Sequence, residues 1–401
     1  MNSVERLLNN KKLRVTIIII MTFLAAVSIV QGVRNAVGVS QDFQWDASRA
    51  LLERIDPYEL SLDSSIPIQS ESLKEFYCLF TDAGLKQKME ANQFPSLLVL
   101  LFPYAIMPPF VARIAWIISN ILFTAGIIWL LRRTFFKNLA LFEFLFVVLL
   151  MLMGTPFRNQ LGVGQHTLFS FFFFLLAVWL DESNPKGNHV LITVCLAICF
   201  FKYTLTAPLC LFILYRRRIR EFVFAVIIHI GMTVGVALWL QKSVFYMITA
   251  PLKVASVLSS EGGLDLGALF NGSSLAFVIG GIIAIMLVLI AVKMPKGQDA
   301  LLFSLLLLWS LVITYHRTYD FFVMSAVPII SLTNDNKRLI NSAIVKVTPV
   351  IYWITTGLVY FGLRIFDESD GSKIVVGLVY YSFTILITYI SIKNIYGSRE
   401  D

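Results

Sequence analysis

Apolar residues in this chain come in unbroken blocks separated by polar junctions, with no alternation of period two. Blocks of about 15 to 25 residues match the length at which a helix crosses a hydrocarbon core, and the missing alternation argues against a membrane barrel. The first block runs from Val15 to Val30; the others cover residues 94–107, 110–131, 139–153, 168–180, 190–215, 221–240, 273–292, 300–314, 319–331, 348–364 and 374–392. The pattern predicts an all-α polytopic membrane protein with about 12 transmembrane helices, roughly 11–13. The second and third blocks are hinged at Pro108-Pro109. Two long polar intervals, 34–92 and 241–272, divide the chain into a module 1–240 that carries the first outer loop, an outer loop 241–272, and a C-terminal transmembrane module 273–401.

Within the first loop, residues 42–53 predict a helix that is stopped by Asp56-Pro57-Tyr58. Phe43, Trp45, Ala50 and Leu51 would rest that helix on the bilayer surface as a juxtamembrane element. A Ser-rich stretch follows from Ser61 to Ser72, and residues 71–90 read as a short amphipathic helix at the membrane.

Composition strengthens the membrane reading. Of 401 residues, 57% are apolar and only 14% charged, against about 25% charged in a soluble domain. The formal charge of +8 gathers at block ends: Lys11, Lys12 and Arg14; Arg216, Arg217, Arg218 and Arg220; Lys293 and Lys296; Lys337 and Arg338. Such clusters read as topology signals. They place both termini in the cytoplasm and both long loops outside, in the plasma (inner) membrane, with Arg132, Arg133 and Lys137 as the exception. The first block reads as a retained span, since no small-residue cleavage signal follows it. A basic face with base-reading residues is missing, which excludes nucleic acid as a partner. Cys78, Cys195, Cys199 and Cys210 lack metal-ligand spacing, and four scattered histidines supply no zinc set.

Four clusters remain as candidate chemistry. Asp42, Asp46 and Arg49 fall near one face of the predicted loop helix. A carboxylate there would serve as general base or hold a cation, or simply belong to a hydrated helix; Arg49 would hold a phosphate bidentately or pair with Asp46 or Glu53. Tyr315-His316-Arg317-Thr318-Tyr319-Asp320 joins two apolar blocks, where it would bind phosphate and sugar or anchor the interface. Lys202 lies about a dozen residues into an apolar block, as a phosphate ligand or a snorkelling side chain. Arg158, Asn159, Gln160, Gln165 and His166 lie among Gly154, Gly162 and Gly164, in a ligand-binding turn or a plain one; the spacing fits neither a P-loop nor a dinucleotide fold.

The order of these features is more specific than any one of them. Asp42-Phe43 follows the first span, Leu51-Leu52 leads to Asp56-Pro57-Tyr58, Phe94-Pro95 opens the second span, and Gly164-Gln165 opens the fifth. Lys202 begins a Thr- and Pro-containing region, and His316-x-x-Tyr319-Asp320 precedes a block ending at Pro328. Over residues 12–335 this resembles the membrane glycosyltransferases of the GT-C fold that use polyprenyl-phosphate sugars, most of all the family of the bacterial alpha-mannosyltransferase of phosphatidylinositol mannoside synthesis. The resemblance implies a catalytic module over 1–240, with the 241–272 loop over the site. It implies Asp42 as general base, His316 as a second catalytic residue, and Asp46, Arg49, Gln165, Lys202, Arg317, Tyr319 and Asp320 around the substrates. The donor would be a polyprenyl-phosphate sugar, mannose favoured, and the acceptor a lipid or cell-envelope glycan. Transfer would be inverting and need no cofactor; a metal at Asp42/Asp46 is the minor alternative. This chain departs from the pattern at Arg54-Ile55, where the family has Gly, at Tyr203 in place of Pro, and at Ser96 in place of a second Pro. A transporter or flippase of lipid-linked sugar is the rival reading, sharing the spans and the intramembrane cations but needing no base.

Overall fold

The structure is a computed structural model. It describes residues 11–38, 43–81, 89–137, 139–185, 187–258, 265–270, 274–314, 316, 319–320, 382, 384–386, 388–389 and 392–393. The regular elements among these are helical, as the sequence predicts.

The number of spans is smaller than expected. Among the described residues five helical stretches are long and apolar enough to cross a membrane: Lys11–Gly38, Pro109–Arg133, His189–Tyr215, Ile219–Trp239 and Ser274–Lys293. A sixth arises if Leu141–Met153 and Thr155–Val163, bent by 55° at Gly154, count as one. The described residues therefore hold five or six such spans of a multi-pass helical membrane protein, not about twelve.

The reason lies in the backbone, which hydropathy does not see. Residues 94–107 form two short helices, Pro95–Val99 and Phe102–Ala105, rather than one span. Thr167–Ser183 and Asp299–Ile313 have 17 and 15 residues, short of the roughly 20 that a bilayer needs. The 15-residue helix stops where Thr314 turns extended. The expected blocks at 319–331, 348–364 and 374–392 lie almost wholly outside the described residues.

The chain divides into two compact units, Met1–Gly32 with Leu131–Asn159 and Gly263–Asp401, and Val33–Leu130 with Gln160–Gly262. In the second unit the first polar loop is a set of packed helices, Trp45–Leu52, Pro57–Leu62 and Glu71–Thr81. The first of these begins at Trp45 rather than residue 42, because Gln44 takes the left-handed conformation at φ 59°. Asp56 caps the second, accepting from the Tyr58 and Glu59 amides with Pro57 in the first turn.

The expected contact of the loop helix with the bilayer through Phe43, Trp45, Ala50 and Leu51 is also overturned. Phe43, Trp45, Ala50 and Leu51 are all buried inside the unit, where Phe43 stacks on Trp116 at 4.7 Å and Trp45 on Phe76 at 5.1 Å. Polar bonds fix the same contact: Trp45 Nε1 donates to the Tyr104 carbonyl at 3.3 Å, Ser48 Oγ to Leu98 at 2.8 Å, and Tyr58 Oη to Gln93 at 2.7 Å. Also in this unit, Arg216 and Arg218 both bond Asp181, and Arg218 meets Glu221 at 3.1 Å.

In the first unit, Met21 and Ala25 of the first span pack on Leu149 and Leu150. Phe135 stacks on Phe303 at 4.4 Å, and Trp309 donates to Thr388 Oγ1 at 2.9 Å. Arg132, the exception to the charge pattern, caps its own helix end by donating to the carbonyls of Phe136 and Leu139, both at 2.8 Å.

Candidate functional site

The second unit joins the loop after the first span to the Gly-Gln segment and to Lys202. Gly164 turns the chain at φ +73°, and its carbonyl accepts from Trp116 Nε1 at 2.8 Å. That turn delivers Gln165 and His166. His166, buried between Trp116 and Phe201, hydrogen-bonds the Phe43 carbonyl through Nε2 at 3.0 Å. Gln165 accepts from Lys202 Nζ at 3.1 Å, while its own carbonyl is held by Gln160 Nε2 at 2.6 Å.

Lys202 sits at a break rather than inside a continuous helix. His189–Cys199 ends in a 3₁₀ turn, Phe200–Lys202, before Tyr203–Tyr215 begins. The Lys202 amide donates to Ser170 Oγ at 2.9 Å, and Thr206 Oγ1 reaches the Lys202 and Cys199 carbonyls, each at 3.1 Å. The break thus has its backbone groups satisfied by side chains, and it points the lysine at Gln165. Two residues singled out separately, 37 positions apart, are in contact.

Asp46 and Arg49 are committed within the protein. Asp46 is fully buried; its Oδ1 accepts from the Ala47 amide at 2.9 Å and its Oδ2 from Tyr77 Oη at 2.7 Å. Burial first, and then the charge of Asp46, raises the Tyr77 phenol well above its ordinary value, so the phenol keeps its proton and donates it. Arg49 Nε bonds Glu53 Oε1 at 2.6 Å, and its Nη1 donates to the Ala105 carbonyl at 3.1 Å. Of the partners left open by the sequence, Arg49 therefore takes Glu53. Burial alone would raise the Glu53 carboxyl, but hydrogen bonds from Ser70, Ser72 and Arg49 outweigh it and hold the group below the usual range. Tyr77 escaped the sequence reading, because nothing in an amphipathic pattern distinguishes it from a packing residue.

The first unit holds a second pair. His316 Nδ1 lies 2.8 Å from Asp320 Oδ2, with both residues buried, and Nε2 lies 3.1 Å from Thr314 Oγ1. Thr314 also reaches the Ser310 carbonyl at 2.7 Å. A hydroxyl has one proton. Given to Ser310, it leaves Nε2 to donate, and the ring is an imidazolium facing a carboxylate; given to Nε2, it leaves a neutral ring with its proton on Nδ1. Asp320 orients the ring in both cases. Tyr319 is buried beside this pair in sequence, whereas Arg158 donates to both Asn159 Oδ1 and Gln31 Oε1. Asp42, Tyr315, Arg317 and Thr318 lie outside the described residues. Among the described residues no group of three or more His, Cys, Asp or Glu is arranged to hold a metal ion.

Compared with known proteins, residues 95–324, more than half of the chain, match the sequence model of glycosyltransferase family 87. No curated protein and no solved structure matches the chain.

Proposed function

We propose that this chain, which belongs to glycosyltransferase family 87, moves a hexose, mannose favoured, from a polyprenyl-phosphate donor to a lipid or cell-envelope glycan acceptor on the extracytoplasmic side of the plasma membrane. What supports the reading is the connection between Phe43, the residue after Asp42, and the Lys202 ammonium: the Phe43 carbonyl is held by His166, and the neighbouring Gln165 is bonded to Lys202. The resemblance gave Asp42 and Lys202 opposite roles, base and phosphate ligand, in one reaction. A protein that ties their neighbourhoods together suits that division of labour.

In this mechanism Asp42 accepts the proton of the acceptor hydroxyl as its oxygen attacks the anomeric carbon. The new bond forms while the bond from that carbon to the phosphate oxygen breaks, and the electron pair leaves with polyprenyl phosphate. One displacement inverts the centre. Charge building on the leaving phosphate is offset by the Lys202 ammonium, an interaction strengthened where water is sparse. His316, whose ring Asp320 orients, is kept as a second catalytic residue on the resemblance alone.

The test is transfer of labelled sugar from polyprenyl-phosphate mannose, glucose and arabinose by membranes carrying wild type or Asp42→Asn, with host lipid extract as acceptor. Wild type forms a labelled product from one donor, and Asp42→Asn loses about 100-fold or more, the contribution of a general base. Wild-type turnover in the variant would remove Asp42 from the base role. Folded wild type inactive with every donor would overturn the transfer reading.

A further inference from the structure

Arg54 occupies a backbone conformation that costs a side chain energy to adopt. Its φ is +60°, the left-handed region where glycine is at ease and a long side chain is strained. The conformation closes the end of the preceding helix, the Ile55 amide donating to the Ala50 carbonyl at 2.9 Å, and it sends the Arg54 side chain toward Trp239. The guanidinium lies flat over Trp239 with 4.0 Å between its central carbon and the ring centroid, and Trp239 is itself fixed, donating from Nε1 to the Leu51 carbonyl at 3.1 Å. Stacking occupies the face of a guanidinium and leaves its N–H edge open.

The carboxylates nearest along the chain are taken. Glu53 is held by Arg49, and Asp56 and Glu59 by Lys242. Among the described residues no ion pair forms to Arg54, which is exposed.

The position is a membrane interface. Trp239 is the last residue of a span, and tryptophan concentrates at that level. Next to it Leu238 is 75% exposed, and the helix Val244–Leu258 that follows turns Phe245, Ile248 and Leu252 outward while burying Met247, Ala250 and Val254. That is the face of a helix lying in the headgroup region with its apolar side in lipid.

We infer that Arg54, stacked on Trp239, is a binding site for the phosphate of an anionic phospholipid, which fixes the first loop at the bilayer surface. The guanidinium edge binds the phosphate oxygens in a fork, and the exposed side chains around it take the acyl chains. This inference stands apart from the transfer reaction.

The test uses the full chain purified in a neutral detergent, with the thermal unfolding midpoint followed as short-chain phosphatidylglycerol is added, and inorganic phosphate as a separate arm. Wild type is stabilised by the lipid, and Arg54→Gly needs about tenfold more lipid for the same shift, equivalent to ~1.4 kcal/mol. Because glycine accepts φ +60°, the variant keeps its fold without lipid; Arg54→Gln, with a polar but uncharged side chain, gives the same loss of lipid response. Equal lipid responses in wild type and variants, or no response in wild type, would overturn the site. A response to inorganic phosphate as large as that to lipid would overturn the lipid assignment.

Discussion

Tyr77→Phe isolates one buried hydrogen bond. The ring and its edge-on contact with Phe76 at 5.3 Å stay, and only the hydroxyl that donates to Asp46 at 2.7 Å is removed. Asp46 has no exposed surface, so water does not replace that donor at Oδ2. A hydrogen bond to a charged group contributes about 1.5–3 kcal/mol, and the burial here argues for about 2 kcal/mol or more. That is roughly a 30-fold change in the folded-to-unfolded ratio. The assay is reversible denaturant unfolding of purified protein without substrate, run as a cycle with Asp46→Asn. The double variant should cost about 1–3 kcal/mol less than the sum of the singles, because each single already breaks the same bond.

The same bond makes a pH prediction. The folded phenol is raised by burial and by Asp46, whereas an unfolded tyrosine ionises near pH 10. Above about pH 10 the unfolded chain binds fewer protons than the folded one, so stability falls as pH rises there. Tyr77→Phe removes part of that alkaline slope; Tyr58, also raised by burial, keeps its own share. A loss under about 0.5 kcal/mol, the range of ordinary surface changes, together with an unaltered alkaline slope, would refute the clasp.

Two further outcomes follow from the same geometry. Lys202→Met, which removes the ammonium on Gln165, should raise the donor KM about 10-fold or more, as loss of a charged phosphate contact of ~1.5–3 kcal/mol requires; an unchanged KM would take Lys202 out of the phosphate site. Glu53, held below the usual carboxylate range, contributes stability that is present above the unfolded value of about 4.3 and lost as pH falls through the folded value; Glu53→Gln should therefore show a shallower loss in acid, read from unfolding midpoints between about pH 5 and pH 3.

The helical class was legible because a bilayer leaves few ways to satisfy a backbone. Direction was not, since Leu97 to Leu101 count as apolar whether they cross the membrane or turn within it. Among candidate residues, Lys202 and Gln165 were each visible as polar groups in apolar surroundings, but their contact spans 37 positions and belongs to the fold. Asp46 shows the opposite failure. A carboxylate in a polar loop reads as exposed, and nothing local announces that Tyr77, 31 residues on, will bury and bind it. Phe43 and Trp45 suit a bilayer surface as well as a core; Trp116 and Phe76 decide for the core.

The family match begins at Pro95, and two prolines within the matched segment open acceptors for the first loop. A helical carbonyl is normally paired with the amide four residues later, and Pro108 and Pro109 have none to give. The carbonyls deprived of that amide are Tyr104 and Ala105. Those same carbonyls receive Trp45 Nε1 and Arg49 Nη1 from the loop helix. Pro108-Pro109 thus leave an acceptor position open on each carbonyl for the loop helix, and Tyr104 accepts from the Met107 amide at 3.0 Å as well. The proline pair that ends this segment is therefore also part of what the loop following Asp42 is built on. The guanidinium assigned to substrate by resemblance is, in the folded chain, one of the bonds that holds that loop in place.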